Sequence, residues 1–424
     1  MLDKTYPGPE SIYRFVLDNG IVVLVYENFA AESVVMDGLV RAGALGEAPE
    51  KAGLASFTAE MLMRGSEKRS FDELYEVIES IGANLDFSSG RHVTEFSTSS
   101  LAEDLDLMLD LLADSLRRPS FAPEQIEPVR GEIMAGLHIR ANDTRYRAGR
   151  AFRELLYQDH PYGRSLDGTL ESVAGITAED MADFHRRHYG PEGMIITIVG
   201  AVKHEEALAK VKAAFGDWQP APEQLPELPS VEIPAETLRT HVEMPQKTQS
   251  DIMLGLPGPL RSAPDYLEAS MANTVLGVFG MMGRLGMTVR EEQGLAYYAY
   301  SRLQGGLGPA PWFVSTGVAP DKVQQAIDSI LHEVDRIINE PIPEEELADS
   351  QAYRSGSLPV SLETNDGLAT VITDLELYDL GLDYLQKLPE KIHAVTPESV
   401  QAAARRYLST EQIAIAVAGP ATKV

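Results

Sequence analysis

Cysteine is absent from the 424-residue chain, which excludes disulfides, a thiolate nucleophile and any cysteine-ligated metal. Positive charge is scarce. Against 64 Asp and Glu stand 36 Lys and Arg, a formal net charge of −28 that repels phosphate backbones and anionic lipid, so neither nucleic acid nor membrane is expected as a partner. A basic peptide would be attracted by the same field, and the acidity serves equally as a solubility feature. No run of 18 apolar residues occurs, and the opening Met1-Leu-Asp-Lys-Thr-Tyr-Pro-Gly-Pro9 has no basic stretch leading into an apolar one, so a soluble, cytoplasmic protein is expected. Gly-x-Ser-x-Gly is also missing, which together with the lack of cysteine leaves a nucleophilic triad without support.

What is present is enough apolar residue, 44%, for a chain longer than one core usually supports; two domains are expected. Thr177-Ala-Glu179 through Val199-Gly200 aligns without a gap on Thr396-Pro-Glu398 through Ala418-Gly419, an offset of 219 at both ends. Each copy reads as a capped helix, a turn and a continuous apolar strand of the kind that lies central in a sheet. A repeat at half the chain length implies two homologous domains rather than a solenoid, whose periods are far shorter. Proline recurs through Asp217-Trp-Gln-Pro-Ala-Pro-Glu-Gln-Leu-Pro-Glu-Leu-Pro-Ser-Val-Glu-Ile-Pro234, so the expected division is 1–216, a stiff linker over 217–238, and 239–424.

The first half opens with two strands in Tyr13–Tyr26 joined by Asn19-Gly20, a dipeptide that favours positive φ, and a third strand follows over Ser33–Arg41. Helical periods occupy Leu54–Met63, Phe71–Ile81, Leu101–Leu116, Glu124–Ile139 and Tyr146–Tyr157, with two strands in Ala83–Ser99. In the second half the pattern gives strands at Ser250–Leu256, Ala296–Leu303 and Trp312–Val318, and helices near Tyr266–Val278 and Lys322–Asn339. Strands and helices alternate without βαβ regularity, so the fold class expected is α+β, with helices packed on a mainly antiparallel sheet in each domain.

Two segments carry chemistry. Arg290-Glu-Glu-Gln-Gly294-Leu-Ala-Tyr297 sets a guanidinium and a phenol seven residues apart around a glycine, both donors able to hold a carbonyl and the oxyanion that develops on it. Taken alone, an arginine near a helix end and an interface tyrosine are equally read as structural. Tyr298, one position along a strand, is expected to face the other way. The second segment is Gly53-Leu-Ala-Ser56-Phe-Thr-Ala59-Glu60-Met-Leu-Met-Arg-Gly65.

These segments resemble the superfamily of pitrilysin, insulysin and the mitochondrial processing peptidases, zinc enzymes with an inverted H-x-x-E-H motif in one half and an Arg/Tyr pair in the other. The resemblance covers nearly the whole chain and implies the LuxS/processing-peptidase-like metallohydrolase fold. The family's zinc helix reads roughly G-x-A-H-F-x-E-H-M-x-x-x-G, so the scaffold positions match while Ser56, Ala59 and Glu60 stand in place of ligand, base and ligand. Two histidines four apart share a helix face and can grip one ion, and the Glu just before the second reaches the metal-bound water; a hydroxyl, a methyl and one carboxylate cannot do this. Glu132 in Val129-Arg-Gly-Glu132-Ile matches the family's third ligand, and one surviving ligand does not make a site.

The resemblance therefore implies a zinc-free subunit of a heterodimeric metallopeptidase. A homologous H-x-x-E-H subunit would hold the zinc, this chain would bind no cofactor, and Arg290 and Tyr297 would act across the chamber on an unstructured peptide held by strand addition. The chain alone is then inactive, and a homodimer is one form open to it. The alternative is a non-enzymatic scaffold or peptide-binding member in which the pair is a relic. Other candidates read as structural. His185 and His188 become Ala404 and Tyr407 in the repeat copy, and His92 and Glu95 lie three apart on a strand and so point apart. Gly277, Gly280, Gly283 and Gly286 precede no Lys-Ser/Thr, and a permissive backbone before the Arg/Tyr segment is preferred to a phosphate cradle.

Overall fold

The structure is a computed structural model describing residues 6–278 and 283–421. Its backbone divides into two compact units. Unit 1 takes the chain up to Leu137, then Ser165–Glu227 and Leu358–Leu388; unit 2 takes His138–Arg164, Leu228–Ser357 and the chain from Pro389.

Unit 1 is built on six strands, β1 (Ile12–Val16), β2 (Val22–Glu27), β3 (Ser33–Val40), β4 (Asn84–Ser89), β5 (Thr94–Leu101) and β6 (Ile195–Gly200), in the order β1-β2-β6-β3-β5-β4. Only the β2–β6 pairing is parallel. Gly20 turns the β1–β2 hairpin at φ 90°, the conformation its Asn-Gly dipeptide favours. β6, Ile-Ile-Thr-Ile-Val-Gly, is buried at every residue, whereas β5 alternates, burying Thr94, Phe96, Thr98 and Ser100 on one face. Gly38 in β3 is needed for close approach, since a Cβ there would stand 2.2 Å from the Ile195 carbonyl oxygen. Phe57, Met61, Leu109, Leu112, Met181 and Phe184 bring the covering helices into one core.

Unit 2 has β7 (Leu238–Glu243), β8 (Ser250–Pro257), β9 (Ala296–Leu303), β10 (Pro311–Val318) and β11 (Ala414–Gly419) in the order β7-β11-β8-β10-β9, again with one parallel pair, β7–β11. Strand for strand this repeats β2-β6-β3-β5-β4, the architecture the internal repeat implies. The α+β class with mainly antiparallel sheets holds. β7 was not assigned from the sequence, because its alternating Leu-Arg-Thr-His-Val-Glu abuts the proline-rich stretch.

The two units are not consecutive in sequence. Helix Thr144–Tyr157, from the first half, lies on β11, β8 and β7, where Phe152 and Leu156 pack with Met253, Phe313, Ala414 and Ala416. Helix Asn365–Leu377, from the second half, lies on β6 and β3. The offset of 219 carries the first of these helices onto 363–376, so the halves exchange equivalent helices. The break between units falls at Glu227/Leu228, inside the proline-rich stretch. Among the described residues no helix is long and apolar enough to cross a membrane.

The exchanged helix gives unit 1 a pH signature. Burial against it pushes the Asp37 carboxyl of β3 up to about 6 from 3.8; a Thr373 hydrogen bond opposes this, and Glu95, Asp374 and Asp366 add repulsion. The charged form is disfavoured in the folded state, so stability is lost as pH rises through about 6 and regained as it falls toward 4. Asp37→Asn should stabilise the protein at pH 7.5 by about 1–3 kcal/mol and by much less at pH 4.5. Paired denaturant unfolding at the two pH values measures the difference, and an equal effect at both would contradict this account.

Candidate functional site

Helix Leu54–Met61 follows Gly53, which sits at φ 94°, and its free amides are capped by the buried Glu47 carboxylate, which accepts from Gly53 N at 3.2 Å and Ala55 N at 3.0 Å. Leu54, Phe57 and Met61 face the core. Ser56 Oγ donates to the Leu166 carbonyl at 2.8 Å, and Ala59 is buried with no side-chain donor. Glu60 is exposed as a residue, yet its carboxyl is pushed above the usual range, first by partial desolvation and further by the charge of Glu132, against the pull of Arg64. The structure therefore brings Glu60 and Glu132 within each other's field.

Arg64, which sequence reasoning did not weigh, is the cation beside both carboxylates. Its Nη2 donates to Glu132 Oε2 at 3.0 Å while its guanidinium lies 5.1 Å from the Phe71 ring centroid. It sits four residues after Glu60, just past the helix end at Met61. Zinc does not fit. The Ser56 hydroxyl is committed to a backbone carbonyl, Ala59 offers nothing, and the remaining carboxylates already have a cation beside them. Among the described residues one other cluster has ligand-like spacing, Glu27, His204 and Glu205. There Lys203 Nζ stands 2.7 Å from Glu27, and this bond first, then the His204 backbone amide, pushes the Glu27 carboxyl down to about 2.

The Arg/Tyr pair lies in unit 2. Gly286–Glu292 forms a π-helical turn, a rare geometry often found at functional positions, and it carries Arg290 near its end. Gly294 at φ 60° reverses the chain, with Gly294 N bonded to Arg290 O at 3.0 Å and Leu295 N to Val289 O at 2.9 Å. β9 begins two residues later and returns Tyr297 to Arg290, whose guanidinium carbon is 5.1 Å from the tyrosine ring centroid. Arg290 Nε also stands 3.4 Å from Glu291. Tyr297 is 83% exposed. It sits where the β9–β10 register slips between Thr316 and Val318, on the edge strand of its sheet. Bulges of this kind re-aim side chains.

Tyr298 does differ in direction from Tyr297, but it is not inert. Its hydroxyl donates to the buried Asp251, which also accepts from Thr144 Oγ1 and from Gln249 Nε2 at 3.1–3.2 Å. Arg145 stacks on the Tyr298 ring at 4.0 Å and donates to its oxygen at 3.2 Å, and burial, then the Asp251 bond and charge, pushes the phenol above its ordinary range. The exchanged helix Thr144–Tyr157 thus anchors the strand that presents Tyr297, a long-range link with no local signature in the sequence.

His185 is half-buried with Nε2 at 2.8 Å from the Leu116 carbonyl, His188 is buried beside Phe184, and burial pushes both imidazoles down. His92 is half-buried, pushed down to about 4 by burial and by Arg41 and Arg91, and Glu95 is exposed. Gly277 and Gly283 serve close approach, their would-be Cβ atoms meeting Ser301 N at 2.5 Å and Gly277 Cα at 3.0 Å. Gly280 lies outside the described residues.

Fold and site together define a two-unit α+β scaffold in which Ser56, Ala59 and Glu60 offer one hydroxyl and one carboxylate on the same helix. Residues 22–170 match the family described as Insulinase (Peptidase family M16), and residues 175–353 the Peptidase M16 inactive domain. The chain belongs to peptidase family M16. It is 25% identical to an uncharacterized zinc protease of Streptomyces coelicolor over 99% of this chain and 92% of that one. A crystal structure of a peptidase M16 inactive domain from Pseudomonas fluorescens matches with a TM-score of 0.88 at 24% identity, covering 97% of this chain and 98% of that one. The periplasmic protease PqqL of Escherichia coli matches at TM-score 0.79 and 18% identity over 97% of this chain but only 48% of its own length.

Proposed function

We propose that this chain is the zinc-free subunit of a two-chain metallopeptidase, working with a homologous partner that carries an intact H-x-x-E-H motif. The observation that carries the reading is the contrast between the two sites: in unit 1 Arg64 is bonded to Glu132, while in unit 2 the half-buried Arg290 of the π-helical turn lies against the exposed Tyr297 of an edge strand. The E. coli protease of which this chain matches 48% supports the pairing, since a second half of similar size would complete a comparable machine. In the complex the partner supplies the metal and its activated water. Arg290 and Tyr297 donate hydrogen bonds to the scissile carbonyl of a peptide laid along β9, each contributing about 3 kcal/mol as negative charge develops on the oxygen. This chain binds no cofactor of its own, and the assembly works in the cytoplasm.

Co-expression with the H-x-x-E-H homologue from the same organism tests the proposal. A stable complex that cleaves unstructured peptide, with neither chain active alone, is expected. If the homologue is fully active by itself and gains nothing from this chain, the subunit reading fails and a scaffold role stands in its place.

A further inference from the structure

Unit 2 holds a cavity of about 450 Å³ between helix Glu344–Ser361 and the π-helical turn that carries Arg290. Two polar groups in its wall are buried and unsatisfied. Arg284, 7% exposed, uses Nε on Glu346 at 2.9 Å but leaves Nη1 without a partner among the described residues, and Ser350, fully buried, leaves Oγ without one among them. Buried donors of this kind cost free energy until an acceptor reaches them, and a guanidinium is best met by a carboxylate. Val275 and Met287 add an apolar wall, and the exposed Glu292 and Asp349 add negative charge that suits an ammonium and opposes a multiply charged anion. Arg336 also borders the space but is paired with Glu333 at 2.9 Å.

The repeat shows why the space is open. Helix Leu54–Met61 packs on Ala178–His188 as Tyr266–Asn273 packs on Pro397–Tyr407, and Glu344–Ser361 is the repeat counterpart of Pro123–Ala141. The cavity is thus unit 2's counterpart of the place where Arg64 bonds Glu132 in unit 1. We propose that it binds a short zwitterionic peptide with an aliphatic C-terminal residue. The carboxylate sits on Arg284 Nη1 and Ser350 Oγ, the side chain on Val275 and Met287, and the ammonium faces Glu292 and Asp349. Met287 and Glu292 belong to the same turn as Arg290, so occupancy firms the segment that presents Arg290, and the end products of proteolysis act back on the peptidase. The binding step needs no partner chain, so its failure and the failure of the subunit reading are distinguishable.

Calorimetric titration of the isolated chain with Ala-Leu, Ala-Leu amide, N-acetyl-Ala-Leu and inorganic phosphate tests the site. Ala-Leu should bind saturably, the amide about tenfold or more weaker, and the acetylated form several-fold weaker. Ser350→Ala should weaken Ala-Leu by about tenfold with unchanged thermal unfolding, because its hydroxyl has no partner to lose. Arg284→Gln should abolish binding, and amide exchange over 286–292 should slow when Ala-Leu is bound. The proposal is overturned by no saturable heat up to about 10 mM Ala-Leu, by phosphate binding as tightly as Ala-Leu, or by unchanged affinity in Ser350→Ala.

Discussion

In a complex reconstituted with an H-x-x-E-H partner, Arg290→Ala and Tyr297→Phe should each lower peptidase turnover by roughly 10²-fold or more while the complex stays assembled. The magnitude is that of losing one preorganised donor to a developing oxyanion. Tyr297 is so exposed that removing its hydroxyl costs the isolated chain little, which separates chemistry from folding. Tyr298→Phe is an unsuitable neutral control, because its hydroxyl belongs to the buried Asp251 network. That variant should instead destabilise unit 2 by about 1–3 kcal/mol, the cost of an under-satisfied buried carboxylate. Steady-state kinetics with gel filtration of each variant decides. Unchanged turnover for Arg290→Ala in an intact complex would leave this chain with architecture and no chemistry.

Restoring the family's ligands should restore a metal site, but only once Arg64 is removed. Ser56→His, Ala59→Glu and Glu60→His together place two imidazoles and Glu132 in reach of one ion, yet Arg64 at 3.0 Å holds Glu132 and repels the metal. Adding Arg64→Gln to the triple variant should tighten zinc binding by about 10–100-fold, as expected when a ligand's competing partner is withdrawn. Zinc titration of the triple and quadruple variants, each with a native circular dichroism spectrum, measures this. Equal affinity would mean that Arg64 does not govern Glu132, and no binding by either would mean that the two helices do not face one site.

Much of this architecture was legible because it is written in local pattern. The Asn19-Gly20 hairpin, the alternation of β5, the apolar runs of β6 and β11 and the capped helices of the repeat each follow from rules that act over a few residues. The exchange of helices was not legible, because Phe152 and Leu156 would cover an apolar sheet equally well in either half, and period alone does not say which sheet. In the site, Ser56, Ala59 and Glu60 could be picked out only through the resemblance, as the positions where the family carries ligand, base and ligand. The cation Arg64 could not, since it lies past the helix end and nothing local says that it turns back to Glu132. The Tyr298–Asp251–Arg145 network joins residues 47 and 153 positions apart and leaves no local trace.

The central claim is that the metal of the working enzyme belongs to the partner and none belongs to this chain. Elemental analysis of zinc in this chain purified alone, and in the co-purified complex, tests it most directly. The account predicts no stoichiometric zinc in the isolated chain and about one zinc per pair of chains in an active complex. About one zinc per isolated chain, removed by a chelator together with peptidase activity, would contradict it.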